Sequence, residues 1–241
     1  MEAQRSNEMI QTPKQIAKLS GFLYLLPAPF AFFGMMYVSS NGVEHGGLGT
    51  TIKKNSSNET LFRLSMLCSF LMNINVILLG LVLYRMLQPE DKSMATFMMV
   101  FVIFGTCISM LSELYHFAVL TLSNTTSLLL FTPELSQYLV RLFLEMREYS
   151  SFGIEGIFWV LWLFPLGYLV NKSKFLPKFL GVLLIIAGIG YVLASFMRAL
   201  APNFDIPLIK YTSIGEMAFA IWLLIKGINV GKWRESIYEF S

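Results

Sequence analysis

Six apolar runs of membrane-spanning length constrain this chain more than any other feature. A helix needs about 20 mostly apolar residues to cross the hydrocarbon of a bilayer. Runs of that kind fall at roughly 16–38, 61–87, 94–122, 149–170, 177–200 and 211–228. Turn-forming clusters separate them: Asn41-Gly42 and Gly46-Gly47, Gln88-Pro89-Glu90-Asp91-Lys92, Asn124-Thr125-Thr126, Asn171-Lys172-Ser173-Lys174, and Ala201-Pro202-Asn203. Composition agrees. The chain is 55% hydrophobic and 14% charged, where soluble domains carry roughly a quarter charged residues. In water such a chain would need an implausibly large dry core, whereas lipid solvates apolar side chains directly. The expected fold is all-α: one integral membrane domain over 1–241, a bundle of six transmembrane helices.

Orientation follows from the lysines and arginines at the ends of the runs. With the amino terminus inside, Arg5, Lys14, Lys18, Arg85, Lys92, Lys172, Lys174, Lys178, Lys226, Lys232 and Arg234 collect on the inner side. Lys53, Lys54, Arg63, Arg141, Arg147, Arg198 and Lys210 collect outside, a bias of 11 to 7. Both termini are then expected in the cytoplasm, with Trp233 and Tyr238 as an interfacial anchor after the last span. The first run is longer than a typical signal core and has no A-x-A site, so it is expected to stay uncleaved.

Several function classes find no support. A net charge of +3, with no basic run interleaved with aromatics, gives no nucleic-acid partner. Cys68 and Cys107 each sit alone inside an apolar stretch, which suits small buried side chains rather than a disulfide or thiol metal site. No phosphate loop and no Gly-x-Ser-x-Gly elbow occurs, so no cofactor is expected.

One segment is not a simple span. After Thr132-Pro133-Glu134, a cap followed by proline at the first helical position, apolar residues recur at Leu135, Tyr138, Leu139, Leu142, Phe143 and Met146. Ser136, Gln137, Arg141, Glu145 and Glu148 take the other side. The spacing predicts an amphipathic helix over about 133–147, lying on the outer surface or capping the bundle. Continued straight into the fourth span it would reach ~55 Å, far beyond a bilayer. A bend near Ser150-Ser151-Phe152-Gly153 is expected instead.

Ionisable residues within a span cost roughly 2.5–3.5 kcal/mol each on insertion scales, so each asks for a reason. The candidates are Arg63, Glu113, His116, Glu155, Arg198 and Glu216, and all six fall in the outer half of their helices. Glu155 and Glu216 each lie about six residues, or ~9 Å, inside the outer end. Helical spacing extends the pattern. Thr106, Ser109, Glu113 and His116 form one stripe, Ser151 and Glu155 a second, Thr212, Ser213 and Glu216 a third, and Ser65, Ser69 and Asn73 a milder fourth. Stripes of this kind must face each other or water. They point to an outward-facing polar cavity in which Glu113, His116, Glu155, Glu216, Arg63 and Arg198 bind a ligand, an arginine partnering at least one carboxylate. Against this stand snorkelling for the two arginines and structural ion pairs for the carboxylates, Glu155 with Arg198 for example.

Several stretches resemble one family. They are Ala17-Lys18-Leu19-Ser20-Gly21-Phe22-Leu23-Tyr24-Leu25, then Leu61-Phe62-Arg63-Leu64 with Leu83-Tyr84-Arg85 and Pro89, and then Gly167-Tyr168-Leu169-Val170-Asn171-Lys172-Ser173-Lys174-Phe175-Leu176-Pro177-Lys178-Phe179-Leu180-Gly181, continued by Ala187-Gly188-Ile189-Gly190-Tyr191. These resemble the bacterial membrane family labelled domain of unknown function 4386, over nearly the whole chain. The resemblance implies a small multi-span protein of a bacterial cytoplasmic membrane. It supplies no catalytic residue.

The leading expectation is a membrane protein that binds or senses a small polar ligand or a lipid headgroup, with membrane lipids as its surroundings; the reading leans away from enzymatic activity and leaves it open. A small-solute transporter is the first alternative, since Pro27, Pro29 and Pro165 interrupt spans. A metal-dependent membrane hydrolase would need His116 with Glu113, Glu155 and Glu216 as ligands, in the absence of H-E-x-x-H and with His45 in a glycine-rich loop. A ligand-free accessory subunit completes the set. Oligomeric state is not legible.

Overall fold

The computed structural model of the chain describes residues 13–30, 59–123, 131–200 and 208–240. The segments 31–38 of the first run, the loop with His45, Lys53 and Lys54, and the Asn124 turn lie outside them. The described residues are helical apart from short turns, with no strand among them. In chain order the helices are α1 (Pro13–Leu25), α2 (Glu59–Leu87), α3 (Lys92–Ser123), α4 (Pro133–Tyr149), a π-helical segment (Ser150–Glu155), α5 (Gly156–Leu161), α6 (Leu163–Lys172), α7 (Lys178–Leu200), α8 (Leu208–Ile225) and α9 (Val230–Phe240).

Apolar runs bounded by turn formers became helices close to their expected limits, as α2, α3 and α7 show. The run at 149–170 did so only in pieces. Pro165 has no N–H for the carbonyl four residues earlier, and the α-helical pattern lapses at Trp162 between α5 and α6. Residues 150–155, where a bend is expected, form the π-helical segment. Among the described residues, two helical stretches are long and apolar enough to cross a membrane, Arg63–Leu87 and Lys92–Leu122. A bent pair, Ser213–Ile225 with Val230–Glu239 at 100°, brings the number to three if counted as one span. The shorter apolar stretches are Gly156–Lys172 and Lys178–Ala194.

The surface of these helices is apolar. On α7, Val182, Ile186, Ile189 and Leu193 are exposed at helical spacing while Leu180, Leu184 and Ala187 are buried. Exposed apolar stripes of this length mark a surface meant for lipid or a partner. Cys107 is exposed and Cys68 half-buried, so the expectation of two buried cysteines does not hold for Cys107. Its position on α3 presents the thiol outward with Phe104 and Leu111.

The chain divides into two compact units. Unit 1 is Met1–Leu25, Val76–Gly105 and Gly156–Ser241, and unit 2 is Leu26–Asn75 and Thr106–Glu155, so α2 and α3 contribute to both. The core of unit 1 is built on Leu83, Met98, Leu166, Leu184, Phe219 and Leu223. Its helices approach through glycine. A Cβ on Gly181 of α7 would stand 2.6 Å from the Gly167 carbonyl oxygen of α6, and one on Gly21 of α1 would stand 2.6 Å from the Leu224 nitrogen of α8. Bare backbone at both positions lets neighbouring helices touch.

One end of unit 1 is tied by polar contacts. Gly227, with φ of 68°, ends α8, and its N–H reaches the Trp222 carbonyl at 3.0 Å. After this turn α9 runs at 100° to α8. Trp233 Nε1 donates to the Met86 carbonyl at 3.0 Å, and Ser236 Oγ donates to Glu90 at 2.6 Å. Lys172 Nζ donates to Asp91 at 2.9 Å. That hydrogen bond holds the Asp91 carboxyl below the usual aspartate range and Lys172 above the usual lysine range. The Asp91 contribution is therefore fully present above its unfolded pKa of about 4 and is lost as pH falls through the lowered folded value. The Lys172 contribution is present below its unfolded pKa of about 10.4 and is lost only as pH rises through the raised value. The pair is substantially exposed, so its worth is under about 1 kcal/mol. Melting temperature measured from pH 6 to pH 3 should fall slightly less steeply in Asp91→Asn than in the wild type. Identical slopes would show that the pair is energetically silent.

Candidate functional site

Unit 2 gathers its polar residues where α3 meets α4. Helix α4 starts as its sequence requires: Thr132 Oγ1 accepts the Leu135 N–H at 3.4 Å and Pro133 occupies the first position. Its packed face carries Ser136 and Val140, both fully buried, and then Phe143 and Arg147. Val140 packs with Val119 and Leu120 of α3 and Met66 of α2, and Phe143 stacks on Tyr115 at 6.4 Å between centroids. Seven residues on from Val140 is Arg147, and seven back from Leu120 is Glu113, each step ~10.5 Å along its helix. Two antiparallel helices in contact at the first pair therefore meet again at the second.

Arg147 Nη2 lies 3.5 Å from Glu113 Oε1, and His116 Nδ1 lies 3.1 Å from Glu113 Oε2. Ser69 of α2 adds a side-chain hydrogen bond to the same carboxylate. Glu113 is only 4% exposed. Next to Glu113, Ser112 Oγ stands 2.6 Å from the Oγ of Ser150, which lies three residues beyond Arg147 and opens the π-helical segment that ends in Glu155. Two polar atoms on the packed face of α4, Ser136 Oγ and Arg147 Nε, are buried without a hydrogen-bond partner among the described residues. The opposite flank carries the exposed Arg141–Glu145 pair at 2.8 Å, and the Leu135, Tyr138, Leu142, Met146 stripe is exposed too. The face buried is thus the one with Ser136 and Val140, flanked by the partly buried Leu139, Phe143 and Leu144.

In unit 1, Tyr24 of α1 donates its hydroxyl to Glu216 Oε2 of α8 at 2.6 Å, and Tyr191 of α7 supplies a second side-chain hydrogen bond. The Tyr24 ring stacks on Trp162 at 5.8 Å and meets Phe219 edge-on at 6.0 Å. Glu216 is therefore a partly buried carboxylate held by two phenols.

Of the six residues singled out from the sequence, Glu113 and His116 are brought together. Glu155 is partly buried at the end of the π-helical segment and Arg63 is exposed near the start of α2, each with partners of its own. Glu216 belongs to the other unit. Arg198 lies on α7, its side chain outside the described residues. Among the described residues, no three of His, Cys, Asp and Glu gather closely enough to hold a metal ion. Sequence reasoning missed Arg147, Tyr24 and Tyr191 as partners. The signal for Arg147 was available in the 136, 140, 143, 147 spacing, which places it on one helix face with Val140.

An uncharacterised protein from the archaeon Archaeoglobus fulgidus is 42% identical over 79 residues, covering 33% of this chain and 48% of that protein. The chain thus matches about half the length of that curated relative. No solved structure matches. The family model described as domain of unknown function (DUF4386) matches residues 19–227, and the chain belongs to that family.

Proposed function

We propose that the chain is a six-span protein of a prokaryotic cytoplasmic membrane, both termini inside, that binds a small polar ligand or lipid headgroup in an outward-facing polar cavity. The observation that carries this reading is the Glu113 cluster. A nearly inaccessible carboxylate on an apolar helix is held by His116, Arg147 and Ser69, and Arg147 Nε is buried there without a partner among the described residues. Buried polar groups are nearly always paired, so an orphaned N–H on the arginine of a buried ion pair suits a polar occupant. The adjoining π-helical segment is of a kind found often at functional sites.

A thermal-shift panel of metabolites and lipids on the purified full chain tests the reading. At least one small polar compound should raise the melting temperature, and a flat response across the panel would count against it. Reporter fusions after Leu87, Leu122, Val170 and Leu200 should read in, out, in, out. An outside signal at Val170 would overturn the topology.

A second reading, a small-solute transporter, is favoured by one observation in unit 1. Helix α1 stops at Leu25 and the fourth run lapses at Trp162, and the residues beside these two interruptions, Tyr24 and Trp162, stack next to Glu216. Interrupted helices around an intramembrane carboxylate are a transporter arrangement. A transporter would move across proteoliposomes the compound that the panel identifies.

A further inference from the structure

Away from both carboxylates, unit 1 has a cleft of about 640 Å³ at the turn between α8 and α9. Lys14 from the start of α1, Lys174 from the turn before α7, Lys226 from the turn just after α8 and Lys232 from the first turn of α9 all line it. These four exposed lysines come from four separate segments. Lys174 lies 3.4 Å from Glu239, while Lys14, Lys226 and Lys232 have no carboxylate partner among the described residues. The fold itself produces this concentration of like charge. The left-handed Gly227 turns the chain at the end of α8, and Asn229, whose N–H bonds the Phe175 carbonyl at 3.1 Å, caps α9 by accepting the Lys232 N–H at 3.3 Å. The positive end of the α9 dipole thus opens on the same cleft.

Beneath the lysines the lining is apolar. Phe175, Leu176 and Ile228 are each 5% exposed or less, and Trp222 is half-buried beside them. Three of the four cations have no carboxylate partner among the described residues, so their summed charge favours an anion in the cleft, and Lys ammonium groups bind phosphate as compact point charges. A cationic rim above an apolar floor matches a phosphate attached to something apolar. All four lysines also fall among the residues that the charge bias assigns to the inner side, where basic pockets between spans take anionic headgroups.

We propose that this cleft binds the phosphate headgroup of an anionic phospholipid of the inner leaflet. The proposal shares the membrane setting with the reading above but is independent of the Glu113 cluster. The full chain in neutral detergent is titrated with phosphatidylglycerol, with phosphatidylcholine, and with inorganic phosphate or glycerol phosphate. Lipid retention is read by native mass spectrometry and stability by melting temperature. Phosphatidylglycerol should be retained and should stabilise, while phosphatidylcholine and the soluble phosphates should do neither. Each Lys→Gln change at 14, 226 or 232 should weaken retention about fivefold, from about 1 kcal/mol per basic residue near an anionic surface. The triple change should weaken it on the order of a hundredfold, and Lys92→Gln should have no effect. Should the triple variant fail to fold, the single variants at these exposed positions carry the test, and the triple Lys→Arg variant should retain the lipid. Equal retention by Lys226→Gln, Lys232→Gln and wild type would overturn the site. Equal stabilisation by soluble phosphate would overturn its assignment to a lipid.

Discussion

Leucine in place of Gly181 should lower the melting temperature by roughly 6–12 °C, from a cost of about 3 kcal/mol in a chain of this size. The contact that forces this is reciprocal. A Cβ at 181 would meet the Gly167 oxygen at 2.6 Å and Asn171 backbone nitrogen at 2.8 Å, and one at 167 would meet the Gly181 oxygen at 2.9 Å. These neighbours are backbone, so no rotamer change relieves them and α6 and α7 must separate. In lipid that separation is costly, because helix association there rests on close packing rather than on escape from water. The contrast is Gly231, whose Cβ would meet only the Asn229 side chain at an ordinary 3.5 Å. Gly231→Ala should stay within about 0.5 kcal/mol of wild type. A Gly181→Leu protein melting with the wild type would show that the α6–α7 contact does not exist in the membrane.

Those two glycines bound the longest stretch carrying the family resemblance, and their meeting shows how far the sequence could be read. Element limits were legible because they depend on local chemistry. The Gln88–Pro89 turn ends α2 at Leu87, and Thr132-Pro133 starts α4. The lapse at Trp162 was half-legible, since Pro165 announced an interruption without saying where it would fall. What stayed hidden was the rotation of each helix about its axis. The apolar stripe of α4 is divided between two environments: Leu139 and Phe143 pack against the Val140 cluster, whereas Leu135 and Leu142 are exposed and Ser136 is buried. In water the apolar face must turn inward. Where lipid can solvate it, the face bearing Ser136, Val140 and Arg147 is free to pack instead. Pairings across the chain were hidden for a related reason. Tyr24 and Glu216 are separated by 192 positions, and no local pattern distinguishes a tyrosine that donates to a carboxylate from one that fills a core. The polar stripes were legible as stripes, and Ser69 and Glu113 are joined across two of them. The identity of the cation was not, because the arginine came from the amphipathic helix rather than from a span.

Glu113→Gln should abolish ligand-dependent stabilisation and also lower the intrinsic melting temperature, and the two effects can be separated. The carboxylate accepts from Ser69 and faces His116 Nδ1 at 3.1 Å and Arg147 Nη2 at 3.5 Å. Glutamine keeps the shape, removes the charge and turns an N–H₂ group toward at least one donor. Arg147 then loses its counter-charge while its Nε already lacks a partner among the described residues. For a fully buried pair, removing one partner costs 3–5 kcal/mol. The Arg147 side chain is 33% exposed, so water can take up part of the loss and a cost of about 1–3 kcal/mol is expected. Adding Arg147→Met should recover much of that cost, because it removes the uncompensated cation, with a coupling energy on the order of 1 kcal/mol or more. It should not recover the ligand response, since the polar occupant would have lost both groups that recognise it. A double variant that regains both stability and ligand response would show Glu113 and Arg147 to be structural only. Additive losses, with no coupling, would show that the two side chains do not interact at all.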